Sequence, residues 1–240
     1  MGESGENSNT WFTEAIELAE KNGIGWAWWQ LKKMGINNPL EIKQPEDYDK
    51  LLQYWRGGGP KPPPDEAWAI MQEWLQNLET GANVFHPDVV DALIRQPHSI
   101  ATRPFKQVTI TDNTIIYAAD FDLGRQRYAY YDTDTARYQY TPGVNTEGNR
   151  GHSYRNDGVD IHYAGSVPVV FAMKEGEWMQ YTATVAADGR YNISFLIAQP
   201  GHSAKASLQD NGKTILGRVS LPDGNEKAEW LRATSKGIFL

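Results

Sequence analysis

The feature of this sequence that most constrains its fold is a change in the spacing of apolar residues near residue 106. Beyond that point, apolar and polar side chains alternate in GEWMQYTATV (176–185) and again in YNISFLIA (191–198). A period of two is typical of a strand that buries one face. LQDNGKTI (208–215) carries an Asn-Gly pair, the strongest short signal for an antiparallel hairpin. Residues 106–240 are therefore predicted to form an antiparallel β-sandwich of the jelly-roll type.

Residues 1–105 show a helical period instead. Over 8–23 the apolar side chains recur every three or four positions, and short polar side chains that can cap a helix stand at its start. Gly23 follows its end, where a left-handed backbone conformation is common and costs glycine little. Further helices are predicted over 65–80 and over 87–96, the latter with a proline in its first turn.

Between the first two helices lies GIGWAWWQL (23–31), an apolar and aromatic run that predicts a buried strand. Helix, strand and helix in this order are typical of a β/α barrel, which needs eight strands and about 250 residues when complete. Residues 1–105 have room for about two such units. The predicted fold class is therefore α/β plus all-β, with a partial (β/α)8 barrel followed by the antiparallel sandwich.

The amino-acid composition excludes several classes of binding partner and of chemistry. The net charge of −7 argues against a nucleic-acid partner, whose phosphates call for a basic surface. No run of eighteen apolar residues is present, so no membrane span is predicted, and no basic, apolar leader precedes the first helix. The absence of cysteine excludes disulfides and thiolate chemistry. Nine Trp and twelve Tyr suit either sugar-binding surfaces or cores.

The first region carries a resemblance to a known enzyme family. GESG (2–5), followed about twenty residues later by GIGWAWWQLKK, resembles the last quarter of a glycoside hydrolase family 5 catalytic domain, the family of many cellulases and mannanases. The resemblance implies that Glu3 is the nucleophile of a retaining mechanism at the end of the seventh barrel strand. It implies that Trp29 is the sugar platform, with Trp28 a weaker candidate. The alternatives are an exposed Glu3 that stabilises the following helix, and tryptophans that pack in a core.

The resemblance has a consequence for activity. A retaining glycosidase needs a second carboxyl group about 5–5.5 Å from the nucleophile, as general acid and base. In family 5 that glutamate ends the fourth barrel strand, and no such segment occurs in these 240 residues. We therefore expect a fragment of an endo-β-1,4-glucanase-like enzyme that does not hydrolyse glycosides by itself.

The second region resembles a carbohydrate-binding module of family 6. Four motifs occur in the family's order: YAADFDLG, AYYDTDT, YRNDGVDI and GEWMQYTATVAADGRYNISFLIA. These modules are β-sandwiches that are often attached to glycoside hydrolases. The resemblance covers about residues 107–240, and the family's final strand is expected to be missing. We therefore place the boundary between an enzyme fragment over 1–105 and a sugar-binding module over 106–240.

The module resemblance implies two places for a sugar. At the loop end of the sandwich, the usual aromatic positions hold Ala172, beside Phe171, and Lys227, so this sequence departs from the family there. On the sheet face, alternation puts Trp178 among polar residues, where an indole is unusual unless something covers it. The alternative is a loop that covers the ring. The residues predicted to contact sugar in the module are Trp178, Glu177, Gln180, Asn192 and Phe171.

The resemblance also bears on cofactors and partners. Hydrolysis needs no cofactor, but such modules often hold a structural calcium ion on oxygen ligands. Its usual glutamate is Ala119 here, which leaves Asp120, Asp122, Asp132 and Asp134 as possible ligands and a solvated acidic loop as the favoured alternative. The expected partner is a β-glucan, mannan or xylan, and the expected location is extracellular or periplasmic. The competing interpretation is a non-catalytic, lectin-like polysaccharide-binding protein.

Overall fold

The computed structural model of this protein describes residues 7–133, 149–198, 204–210, 212, 214–221 and 230–240. The chain divides into two compact units, each described below by itself. The first consists of Met1–Val108 and Ile115–Ala183, and the second of Thr109–Thr114 and Thr184–Leu240. None of the helices in the described residues is long and apolar enough to cross a membrane.

Within the described residues, the α-helices all lie in the first unit. The helix predicted over 8–23 is confirmed: Ser8 caps it by accepting a hydrogen bond from the Trp11 backbone N–H at 3.3 Å. Phe12 and Ile16 are buried on its inner face, and Gly23 follows with a φ of 66°. The helices are α1 (Asn9–Lys21), α2 (Tyr48–Trp55), α3 (Pro64–Asn77) and α4 (Pro87–Ile94).

Both other predicted helices are confirmed, and each starts with proline in its first turn, where a missing N–H costs nothing. Helix α2 was not predicted from the sequence. It is only eight residues long and buries only Leu51, and the residue before it, Asp47, has a φ of 62° and makes no side-chain cap. Neither the apolar spacing nor the capping pattern therefore marks its start.

The strands of the described residues are short before residue 190 and longer after it. In chain order they are β1 (Lys32–Lys33), β2 (Leu40–Glu41), β3 (Val84–Phe85), β4 (Thr109–Ile110), β5 (Tyr130–Tyr131), β6 (Ile161–Ala164), β7 (Val167–Val170), β8 (Trp178–Met179), β9 (Thr184–Val185), β10 (Arg190–Ala198), β11 (Ala204–Asp210), β12 (Thr214–Leu221) and β13 (Trp230–Phe239).

In the first unit, two apolar clusters hold the elements together. Helices α1 and α4 pack through Phe12, Ile16, Val89 and Leu93. The second cluster lies around β5 and β6, which pair with β8 and β7 respectively in antiparallel fashion. Its buried members are Ala119, Phe121, Ala129, Tyr130, Val159 and Ile161.

In the second unit, the predicted antiparallel pairing is found. Strand β10 pairs with β13, and β11 pairs with β12 across the predicted hairpin, where Gly212 has a φ of 65°. Strands β4 and β9, in contrast, are parallel. The positive φ of Gly212 is the conformation that tight hairpin turns require and that glycine adopts readily.

The protein is therefore a mixed α/β molecule with many small strand pairs. Among the described residues, β1, β2 and β3 form a three-stranded sheet, and no closed barrel occurs. The buried strand predicted over 23–31 is wrong: the structure has no β-strand in this segment, and its residues are half-buried or exposed. The partial barrel, the sandwich and the boundary at 105–106 stay predictions.

Candidate functional site

The predicted nucleophile Glu3 lies outside the described residues, but both tryptophans of its expected site are described. Trp28 stands edge-on to Phe12, with ring centroids 4.3 Å apart, and its indole N–H donates to the Gln30 carbonyl at 2.9 Å. Trp29 faces the other way and is 56% exposed. Trp28 is therefore a packing residue of the α1 cluster, whereas Trp29 is exposed, and its role as a sugar platform stays a prediction.

Trp178 lies on β8, directly opposite Tyr131 of β5. Its neighbour Met179 packs against the second apolar cluster. Strand β8 contains only these two residues, and Tyr181, on the apolar side of the predicted strand, is 37% exposed, so the predicted alternation is found at Trp178 and Met179 and does not continue to Tyr181. The Trp178 residue is 40% exposed and lines a shallow depression together with Tyr131 and Met173. An exposed indole beside a second aromatic ring is a surface suited to the apolar face of a sugar.

Glu177 borders the same depression and already holds two loops in place. Its carboxylate accepts hydrogen bonds from Thr133, through the backbone N–H at 3.0 Å and the hydroxyl at 2.7 Å, and from the Lys174 N–H at 2.6 Å. A carboxylate has about four acceptor positions. Glu177 can therefore fix the rim of the Trp178 depression and still accept a hydrogen bond from a ligand hydroxyl.

The Gln180 side chain makes two hydrogen bonds within the protein. Its amide N–H groups donate to the Thr102 hydroxyl at 2.8 Å and to Asp122 at 3.0 Å. Asp122 also accepts from the Thr182 N–H at 2.8 Å and hydroxyl at 2.6 Å. The contacts made by Gln180 are thus structural, and a sugar-binding role for it stays a prediction.

The remaining predicted sugar contacts lie apart from Trp178 in the chain. Phe171 stands edge-on to His162, with centroids 4.9 Å apart, and Ala172 has a φ of 55°. Asn192 belongs to the second unit, where its side chain accepts from the Gly237 N–H at 3.1 Å. Lys227 lies outside the described residues. These contacts leave the predicted sugar-binding roles of Phe171 and Asn192 as predictions.

The acidic residues considered for calcium have protein partners. Asp120 accepts a hydrogen bond from the Tyr154 hydroxyl and lies 3.0 Å from the Lys106 ammonium. Asp122 accepts the hydrogen bonds from Gln180 and Thr182 that are described above. Asp134 lies outside the described residues. Within the described ranges, no group of three or more Asp, Glu, His or Cys side chains is arranged to hold a metal ion.

A buried polar cluster joins the start of α1 to the YRNDGVDI segment. The Asn9 amide donates to Asp88 at 2.9 Å and to Asp157 at 3.0 Å. The Asn156 N–H donates to Asp88 at 2.7 Å, and Arg155 donates to Asp157 at 2.9 Å. All these side chains except Asn156 are buried. Residues on both sides of the predicted boundary therefore share one hydrogen-bonded core.

The cluster places two carboxyl groups close together in the protein interior. Burial raises the pKa of the Asp157 carboxyl to about 6, from an ordinary value of 3.8. Arg155 and Asn9 act against this shift because they favour the charged form, whereas Asp88 adds to it. The other Asp88 oxygen, Oδ1, is buried without a hydrogen-bond partner among the described residues, with His86 Nδ1 4.0 Å away.

This raised pKa predicts a pH dependence of stability. The folded protein keeps the Asp157 proton in a range where the unfolded chain has lost it, so the contribution is lost as the pH rises through about 6. We expect Asp157 to add about 1 kcal/mol to the free energy of unfolding at about pH 5 relative to about pH 7.5. Urea titrations of wild type and Asp157→Asn at both pH values measure this difference in the free energy of unfolding. His86 is present in both proteins, so the comparison isolates Asp157. Equal pH dependence in the two proteins would contradict it.

The buried polar cluster was not predicted from the sequence, although two of its segments have an unusual composition. YRNDGVDI concentrates charged and amide side chains beside apolar ones, and Asp88 follows the proline that starts α4. Asn9 and Asp157 are 148 residues apart, so nothing in the sequence pattern pairs them.

Comparison with known proteins adds no family assignment. No protein-family model matches the sequence, and no curated protein matches it at a significant level. The function must therefore be inferred from the residues and their geometry.

Proposed function

We propose that this protein binds a neutral β-linked polysaccharide, such as a β-glucan, mannan or xylan, on the surface around Trp178. The observation that carries the proposal is the exposed indole of Trp178, held on a paired strand beside Tyr131 and bordered by the Glu177 carboxylate. An indole covers the C–H face of a sugar ring and shields it from water, while a carboxylate accepts hydrogen bonds from sugar hydroxyls. The resemblance to a family 6 module points to the same function.

We further propose that the chain is part of a secreted or periplasmic retaining glycoside hydrolase of the family 5 type. The pairing of GESG with the aromatic run supports this proposal, as does the exposed Trp29 on that run. In this mechanism the Glu3 carboxylate bonds to the anomeric carbon as the glycosidic bond breaks, and the acid/base carboxyl group of the complete enzyme protonates the leaving oxygen. Trp29 forms the floor of the adjacent sugar site. The 240 residues by themselves are expected to release no reducing sugar from these polysaccharides, because the acid/base carboxyl group has no counterpart in them.

The binding proposal is tested by replacing Trp178 with alanine. Isothermal titration with soluble cello-, manno- and xylo-hexasaccharides should show that Trp178→Ala binds the preferred sugar about tenfold more weakly than wild type, because the aromatic contact is lost. Trp68→Ala is the matched control, since Trp68 is also exposed but lies on α3. Equal affinity of wild type and Trp178→Ala, or no binding by wild type, would reject the proposed site.

A further inference from the structure

A cluster of aromatic rings surrounds one lysine on the first unit, and it consists of residues other than those proposed above. The Lys106 ammonium lies 5.9 Å from the ring centroids of Phe105 and Tyr117 and 5.3 Å from that of Tyr154. Tyr163, on β6, stands edge-on to Tyr154 with centroids 6.2 Å apart. We call these five residues the lysine–tyrosine cluster.

The charge of this cluster is balanced internally. Asp120 lies 3.0 Å from the Lys106 ammonium, and the same carboxylate accepts the Tyr154 hydroxyl. The Lys106 side chain nevertheless remains half-exposed, while Asp120 is nearly buried. The reachable ammonium therefore offers a hydrogen-bond donor to a ligand, while the buried carboxylate beside it leaves little net charge to attract an ion.

The aromatic surface of the cluster is open at two rings. Tyr163 is 49% exposed and Tyr117 is 40% exposed, whereas Phe105 and Tyr154 are half-buried beneath the lysine. Phe105 also stands edge-on to Tyr154, with centroids 5.7 Å apart, which fixes the orientation of the inner rings. Exposed rings on a fixed aromatic base offer a flat apolar contact without a large cost in side-chain ordering.

The chemistry of the cluster selects a neutral polyhydroxy ligand. A cationic ligand would compete with Lys106, which already occupies the faces of three rings. An anionic ligand would meet Asp120 and a protein of net charge −7. A sugar ring has an apolar face for the tyrosine and hydroxyl groups that can accept from the half-exposed Lys106 ammonium.

We propose that the lysine–tyrosine cluster is a second sugar-binding site, with the Tyr163 ring as platform and the Lys106 ammonium, held in place by Asp120, as hydrogen-bond donor to the sugar hydroxyls. This inference rests on the proposed function, since it extends polysaccharide binding to a second place on the same unit. Two sites on one polysaccharide chain would strengthen binding to long polymers more than to short oligosaccharides.

The test compares Tyr163→Ala with Tyr163→Phe, Lys106→Met and Trp178→Ala. Isothermal titration uses the same cello-, manno- and xylo-hexasaccharides, with polygalacturonate as the charged control. We expect wild type to show two sites, and Tyr163→Ala to weaken one of them about tenfold while the Trp178-dependent site is retained. Tyr163→Phe keeps the ring and should bind within about twofold of wild type, whereas Lys106→Met should weaken the same site. Urea titration of each variant verifies that it is folded.

The outcomes separate this inference from the proposed function. If Tyr163→Ala loses a site while Trp178→Ala binds like wild type, the lysine–tyrosine cluster is supported and the Trp178 site is rejected. If folded Tyr163→Ala binds with the stoichiometry and affinity of wild type, the cluster only anchors Lys106 and the inference is wrong. Tighter binding of polygalacturonate than of every neutral sugar would also overturn it, because the site would then select charge.

Discussion

Replacing Arg155 with methionine is expected to lower the free energy of unfolding of the first unit by about 3–5 kcal/mol. Arg155 is fully buried, pairs with Asp157 at 2.7 Å and donates to the backbone carbonyls of Phe121 and Asp122. Its guanidinium also lies over the Phe121 ring, 3.6 Å from the centroid. Methionine can fill much of the space, but it removes the charged partner of the Asp157 carboxyl, which keeps the Asn9 amide as a donor. It also leaves the two backbone carbonyls without the Arg155 donor, and these losses are the costly part of breaking a buried ion pair.

Urea titration followed by circular dichroism measures this loss. The matched control is Arg127→Met, because Arg127 is exposed and its guanidinium contacts the Tyr131 ring at 5.6 Å. That change should cost less than about 0.5 kcal/mol. A similar loss of unfolding free energy in both variants would contradict this prediction, because the buried contacts of Arg155 would then add nothing to stability.

The second large loss of stability is expected in the segment before the predicted boundary at residues 105–106. Phe12 is completely buried in the α1–α4 cluster, against Ile16, Val89 and Leu93, with Trp28 edge-on to its ring. Phe12→Ala removes this ring from a closely packed site that can collapse only in part. We expect a loss of about 3–5 kcal/mol in the free energy of unfolding.

Leu18→Ala is the control for Phe12→Ala, since Leu18 lies on the same helix but is exposed. Intrinsic fluorescence reports the change, because Trp11 and Trp28 both pack against the cluster that contains Phe12. The Arg155 and Phe12 variants should shift the same unfolding transition, as the polar cluster around Asn9 joins their surroundings. Two separate transitions, each sensitive to one variant, would instead support independent domains over 1–105 and 106–240.

The sequence was sufficient for the features that depend on neighbours in the chain. A polar cap at the start of α1, the inner face of α1 and the prolines that start α3 and α4 follow from spacing and from the chemistry of single residues. The sequence left Ser8, Asn9 and Thr10 open as the capping residue, and the structure assigns the cap to Ser8. The outward position of Trp178 follows from the period of two in its strand. These features are local, so the sequence pattern alone determines them.

The features that depend on distant residues could not be predicted in the same way. The Asn9–Asp157 contact, the aromatic rings around Lys106 and the packing of Trp28 on Phe12 each join segments that the pattern treats separately. Amino-acid composition showed that aromatic rings were plentiful, but it did not show which ones meet. Alternation favoured a polar face for Gln180, but not that Thr102 and Asp122 engage its amide.

The hydrogen bonds between Asn9, Asp88 and the Asn156–Asp157 segment have a practical meaning for anyone who divides this protein. A cut placed at residue 105 would separate partners that are buried together, and each half would be left with interior polar groups newly facing water. We therefore expect a piece that keeps these hydrogen bonds to begin before α1 and to continue past the YRNDGVDI segment.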